Sequence, residues 1–283
     1  MAASRLSTFS NAGLTFDVID EGPIDGPVAV LLHGFPQRAS SWNPVARMLH
    51  GQGIRTIAPD QRGYSPRARP RGRAAYRLGD LSADIHQLID TLDAGPVHLV
   101  GHDWGAVVAW SVATDQERVR SLTAVSVAHP TAFMRSMLGS QIAKSWYMGA
   151  FQLPLLPEKL LSDPRRAGGF LGRAGMTREM TATYQRDIVD HGALPGALNW
   201  YRALPLTNPR AATGRIRVPT TMVWSDKDVA LGRKGIDLTE EYVDAPYSLQ
   251  VLGGVSHWIP DEVPDVLAEI VCERIDSVDD GRS

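Results

Sequence analysis

Short, mostly apolar runs alternate with helical patterns through the first half of this chain, and that alternation is the strongest constraint on how it folds. The runs are Val28 to Leu32, Ile54 to Ala58, Val97 to Val100 and Leu122 to Val127. A strand covered on both faces has no polar face to present, so it reads as a continuous apolar run rather than as an alternation. Between the runs, Leu78, Leu81, Ile85, Leu88, Ile89 and Leu92 recur at helical spacing, and Gly95-Pro96 stops that helix. Ala106 to Ala113 is apolar almost throughout, as a buried helix is. The β-α-β-α-β order predicts a parallel sheet with right-handed crossovers.

The pattern breaks after His129-Pro130. Residues 131 to 207 carry helical and loop signals punctuated by Trp146, Tyr147, Phe151, Pro154, Pro157, Trp200 and Tyr201. Strand signals resume at Pro219 to Trp224 and Tyr247 to Leu252, and a last helix is expected from Pro264 to Ile275. The expected organisation is therefore one core domain, residues 1–130 and 208–283, interrupted by a helical cap over 131–207. Residues 61–77, rich in Arg, Pro and Gly, read as a long surface loop with Arg67, Arg69, Arg71 and Arg73 solvated. A phosphate site there is disfavoured because no Gly-rich loop opens a helix.

Composition closes off several classes. A formal net charge of −2 over 283 residues gives no footprint for nucleic acid or an anionic membrane. The single cysteine, Cys272, cannot form an internal disulfide; it favours a reducing compartment, hence the cytoplasm, and reads as a buried structural thiol. No signal peptide is visible before Gly13, and no stretch approaches the roughly 18 apolar residues of a membrane helix, so membrane insertion is not expected.

The chemistry is carried by Gly101-His102-Asp103-Trp104-Gly105-Ala106, between a strand and a buried helix. A glycine on each side of one lifted residue is the signature of a sharp strand-to-helix turn that raises a nucleophile at a helix N-terminus. The raised residue here is Asp103, where an acyl esterase has serine. A carboxylate attacks a strained or activated sp³ carbon and is left as an alkyl ester. Water must then cleave that ester, which requires a general base and a site for the oxyanion.

The base is expected to be His257, on the Gly-containing loop after the run 247–252, because a triad of this kind runs nucleophile, acid, histidine along the chain. The acid should come from Ser225-Asp226-Lys227-Asp228, where spacing does not choose between the two aspartates. His33-Gly34-Phe35-Pro36 follows the first buried strand. It nominates the backbone N–H of Phe35, with that of Trp104, as the oxyanion hole, and a cis Phe35-Pro36 bond is expected. His33 is read as a structural histidine. No HExxH or Cys/His set appears, so neither a metal nor another cofactor is expected.

These segments resemble the epoxide hydrolases of the α/β-hydrolase superfamily. The resemblance spans nearly the whole chain through His33-Gly34-Phe35-Pro36, Asp60-Gln61-Arg62-Gly63-Tyr64, Gly101 to Ala106, Lys227-Asp228 and Gly254-Val255-Ser256-His257-Trp258. It implies an α/β-hydrolase fold: a mostly parallel central sheet flanked by helices, with an inserted helical cap. It makes Asp228 the acid of the triad. It also implies two cap tyrosines that activate the epoxide oxygen: Tyr147, four residues before Phe151-Gln152, and Tyr201 in Asn199-Trp200-Tyr201-Arg202. A phenol suits that task because it can donate a proton while uncharged at neutral pH.

The implied activity is hydrolysis of a small, apolar epoxide to a vicinal diol, with a detoxifying role. The implied pocket is Phe35, Pro36, Trp104, Trp146, Phe151, Trp200 and Trp258. Two stretches depart from the family: Tyr64 to Pro70 lacks its glycine and serine pattern, and Gln152-Leu153-Pro154 leads into a more apolar segment than is usual. A dehalogenase would share the Asp nucleophile, but the haloalkane enzymes often place Asn at the position of Phe35 and the haloacid enzymes place Arg at that of Trp104. A non-catalytic receptor on this fold would be expected to lack a triad member or a cap donor.

Overall fold

The computed structural model describes residues 4–208 and 214–279. Eight strands form one sheet in the order β1-β2-β4-β3-β5-β6-β7-β8. They are β1 (Thr8–Asn11), β2 (Leu14–Glu21), β3 (Val28–Leu32), β4 (Arg55–Pro59), β5 (Val97–His102), β6 (Val119–Val125), β7 (Thr220–Ser225) and β8 (Tyr247–Leu252). From β4 through β8 every neighbouring pair is parallel, while β1 and β2 join antiparallel at one edge.

β3 shows why its run is unbroken. Val28, Val30 and Leu32 enter one core, beneath α2 (Leu78–Leu92) and α3 (Trp104–Val112). Ala29 and Leu31 enter the other, beneath α1 (Asn43–Gly51) and the C-terminal helix (Pro264–Asp279). Successive side chains of a strand point to opposite faces, and here both faces are covered.

The edge hairpin, β1 and β2, has no continuous apolar run. Its strands alternate, with Phe9 stacked on Phe16 on the inner face, and its two-residue turn, Ala12-Gly13, has positive φ at both positions. Boundaries also move. β5 continues through Gly101 to His102, the neighbouring strand begins at Val119 instead of Leu122, and α3 begins at Trp104. The last helix runs four residues beyond Ile275, and on it Cys272 is only half buried.

The loop over 61–77 is not a solvated surface loop throughout. Gln61 to Ser65 are buried, and Tyr76 closes a 3₁₀ turn, Arg73–Tyr76, inside the core. Arg62 forms a two-pronged pair with buried Asp84 of α2. Arg69 donates to the carbonyls of Tyr64 and His191, while Arg67, Arg71 and Arg73 are exposed as expected. Buried carbonyls and a buried carboxylate need donors, and guanidinium groups supply several at once.

Between β6 and β7 the described chain is helical: α4 (Pro130–Ser136), α5 (Gln141–Lys144), α6 (Trp146–Ala150), α7 (Leu156–Leu161), α8 (Pro164–Arg173), α9 (Arg178–Tyr184) and α10 (Leu194–Ala203). Part of the expected return to the core, residues 209–213, lies outside the described residues, as do residues 1–3 and 280–283 at the ends. The helical segment sits on the core through close backbone contact. A Cβ on Gly196 of α10 would overlap the backbone of Gly63, which itself has φ +91°. Trp200 donates from Nε1 to the Arg62 carbonyl at 2.8 Å. Among the described residues no helix is long and apolar enough to cross a membrane.

Candidate active site

Asp103 stands between β5 and α3 with φ +52° and ψ −121°, a backbone conformation that side-chain-bearing residues rarely adopt. The glycines around it leave no alternative. A Cβ on Gly101 would overlap the Gly105 carbonyl, and one on Gly105 would overlap the Leu32 carbonyl. A Cβ on Gly34 would strike Asp103 itself. The turn can therefore close only where the sequence has glycine.

The Phe35 N–H donates to Asp103 Oδ1 at 2.8 Å, and the Phe35-Pro36 bond is cis. The Trp104 N–H also favours the charged carboxylate. His257 presents Nε2 to Asp103 Oδ2 at 3.4 Å, and its Nδ1 lies 2.7 Å from Asp228 Oδ2. The other Asp228 oxygen accepts from the N–H groups of Ala230 and Leu231, which fixes the carboxylate plane. Asp226 is exposed and instead accepts from the Gly254 N–H, bracing the loop that carries His257. The choice that spacing left open is thus visible in space: Asp228 meets the imidazole and Asp226 does not.

The electrostatics follow from this geometry. Burial opposes a charge on His257, but Asp228 and then Asp103 overcome it and raise its pKa to about 10. Burial likewise pushes the Asp103 carboxyl up, yet the hydrogen bond and charge of His257 outweigh it and hold the group below its ordinary range. Both shifts favour the carboxylate–imidazolium form of the pair.

A cavity of about 420 Å³ opens above Asp103 and His257. Tyr147 of α6 and Tyr201 of α10 both line it, with ring centroids 6.0 Å apart. Burial, and then the charge of Asp103, raises the pKa of both phenols. Of the expected pocket residues, Phe35, Pro36, Trp146, Phe151 and Trp258 line the cavity. Trp104 and Trp200 do not. Both are buried behind it, packed edge to face, where Trp104 meets the Tyr201 ring and Trp200 is held by its bond to the core. Being indole was a poor guide to facing the cavity, because indoles serve equally well as core packing. His33, read as structural, accepts from the Gln61 N–H through Nε2.

Other residues shape the site without having been expected. Phe170, Lys144 and Arg173 line the cavity from a segment whose register on the core no sequence motif sets. Arg202, next to Tyr201, donates to the carbonyls of Phe151 and Leu153 and forms a two-pronged pair with Glu158, tying the two tyrosine-bearing stretches together. Its place in Asn-Trp-Tyr-Arg was the available signal. The His257 carbonyl is gripped by His102 Nε2 at 2.9 Å and by Ser126 Oγ at 3.2 Å. Among the described residues no group of three or more His, Cys, Asp or Glu is placed to hold a metal ion.

A carboxylate on a nucleophile elbow, an imidazole paired to a buried aspartate, and two inward N–H groups define a hydrolase built on an α/β sheet. The comparisons agree. The alpha/beta hydrolase fold family matches residues 27–262, and the chain belongs to it. Within that family it belongs with the epoxide hydrolases. Human epoxide hydrolase 4 is 31% identical over 92% of this chain and 75% of its own. The AB hydrolase superfamily protein YfhM of Bacillus subtilis is 35% identical over 93% of this chain and 95% of its own. Among solved structures, one reported as belonging to novel epoxide hydrolases in metagenomes from hot environments superposes with a TM-score of 0.83 at 30% identity, over 97% of this chain and 99% of that one.

Proposed function

We propose that this chain hydrolyses an apolar epoxide to a vicinal diol through an alkyl ester on Asp103. One observation carries the reading: the Asp103 carboxylate and the two phenols of Tyr147 and Tyr201 line the same cavity. That is the arrangement needed to attack a ring carbon from below while a donor waits for the ring oxygen above. The core is residues 1–130 and 208–283, and residues 131–207 form a cap over it. The half-buried lone cysteine supports a cytoplasmic location.

The ring oxygen accepts hydrogen bonds from Tyr147 and Tyr201. Asp103 Oδ2, the oxygen not held by Phe35, attacks a ring carbon. The C–O ring bond breaks and the leaving oxygen takes a phenolic proton. Asp103 is then a neutral ester, and two of the influences that keep His257 protonated have gone, so the imidazolium can pass its proton through solvent to the tyrosinate and serve as base. His257, held by Asp228, next takes a proton from water, and the hydroxide attacks the ester carbonyl carbon. The developing charge on Oδ1 is met by the N–H groups of Phe35 and Trp104. Collapse expels the diol's alkoxide, which takes the proton of the newly added hydroxyl, leaving Asp103 as a carboxylate and His257 again protonated. Phe35 and Trp104 occupy the positions at which dehalogenases carry Asn or Arg, which favours the epoxide over a halide.

The test is product analysis on aryl and alkyl epoxides and haloalkanes, run for a single turnover in ¹⁸O-water. Diol whose new oxygen is unlabelled, with the label left in Asp103, is the expected result, because that oxygen comes from the carboxylate. Label appearing directly in the diol would mean that water attacks the epoxide itself. Halide release without diol would reassign the chain to the dehalogenases.

A further inference from the structure

Two cations stand on the cavity wall, and the mechanism above uses neither. Lys144 ends α5 and Arg173 ends α8; both line the cavity that holds Asp103 and His257. Arg173 is exposed, and among the described residues its guanidinium has no ion pair. Lys144 Nζ donates to the Asp228 main-chain carbonyl at 2.8 Å. That carbonyl is neutral, so the ammonium charge also lacks a carboxylate partner, and an ammonium has further donors to offer. Among the described residues Asp103 is the sole acid on the wall, and it already faces His257. Nearly all the remaining lining is apolar or aromatic, including Phe170, Trp146 and Val229.

Such a wall suits a ligand with an apolar body, a reactive ring deep in the cavity and a negative charge at the outer end. We propose that Lys144 and Arg173 form a recognition point for an anionic substituent, so that the preferred substrate is an epoxide carrying a carboxylate away from the ring. The inference rests on the epoxide hydrolase reading and narrows its substrate from an apolar epoxide to one whose apolar body ends in a carboxylate. A cation in the last turn of a helix also complements the helix dipole, but that role would leave substrate preference unmoved.

The experiment compares para-carboxystyrene oxide with its primary amide, measuring kcat/KM for each in the full-length protein at low and high salt. Arg173→Gln and Lys144→Gln are run beside Arg178→Gln, which removes an exposed charge at the start of α9, outside the cavity wall. The readout is the acid-to-amide ratio within each protein, from which any general loss of activity cancels. The wild type should favour the acid by about three- to tenfold, the scale of one or two exposed ionic contacts. Added salt should shrink that preference. The ratio should collapse toward one in Arg173→Gln and Lys144→Gln and survive in Arg178→Gln.

A wild-type ratio at or below one overturns the inference, as does a ratio that neither cavity variant moves or that Arg178→Gln lowers equally. Diol from the amide in any of those cases leaves the epoxide hydrolase reading standing. No diol and no alkyl-enzyme from either compound would overturn both.

Discussion

In the proposed mechanism, His257 is the residue on which the two halves of the reaction turn. Its Nδ1 is fixed by Asp228 and its Nε2 faces Asp103. Replacing it with Gln should leave ester formation able to proceed and ester hydrolysis blocked. Intact-protein mass spectrometry should then show the variant accumulating one substrate mass; an unmodified mass after prolonged incubation would count against an ester on Asp103. Asp228→Asn keeps the shape but favours the wrong imidazole tautomer, so turnover should fall by about 10⁴-fold. Asp226→Asn should cost far less, since that exposed carboxylate braces only the Gly254 N–H. A comparable loss in both variants would mean that the loop as a whole, not Asp228, sets the activity. Asp228 illustrates what a motif can and cannot carry: two aspartates two apart look alike along a chain, and only the path of β7 and β8 decides which one reaches the histidine.

Among the elements, α10 is the one whose placement matters most. It carries Tyr201, and its position is set by a glycine-on-glycine contact between Gly196 and Gly63 and by the Trp200 bond to Arg62. A side chain at Gly196 must push the helix off the core. Gly196→Val should therefore lower Tm and slow ester formation by about 10²-fold, the scale for displacing a catalytic group by roughly an ångström. The hydrolysis of ester already formed should change little, because His257, Asp228, Phe35 and Trp104 sit on the core. Stopped-flow single-turnover measurements separate the two steps; an equal slowing of both would place the effect elsewhere. The helical pattern here was legible in the sequence, whereas the contact was not. A glycine in a helix is ordinary until its neighbour in space is known.

For the whole molecule, the buried histidines set how stability depends on pH. His33, His98, His102 and His129 are held at pKa values of about 4, burial being the first cause in each. The unfolded chain takes up protons on them below 6.5 that the folded chain refuses, so stability should rise with pH from about 4 to 6.5. Asp261, raised to about 6 by burial, opposes this as a single group. His257 works in the other direction. Its folded pKa of about 10 means that the folded chain keeps a proton the unfolded chain loses, so its contribution is complete below 6.5 and disappears as pH climbs to about 10. Calorimetric Tm should therefore peak near pH 6.5, and Asp103→Asn should flatten the alkaline side by removing a charge that sustains the His257 proton. A Tm that keeps climbing from neutral to alkaline pH would contradict this.

The sequence by itself determined the parallel sheet and the tight turn that carries Asp103. Both are local in origin: a doubly buried strand must be apolar throughout, and a turn this tight admits only glycine where a Cβ would overlap a carbonyl. The order of Asp103 and His257 along the chain was equally plain. Tertiary structure alone decided what depends on elements distant in sequence lying side by side. That includes Asp228 over Asp226, Trp104 and Trp200 behind the cavity instead of in it, Arg69 anchored instead of solvated, and two cations brought to the wall that Asp103 shares. Side-chain type fixes what a residue can do, and only the packing of one helix on another fixes where its side chain points.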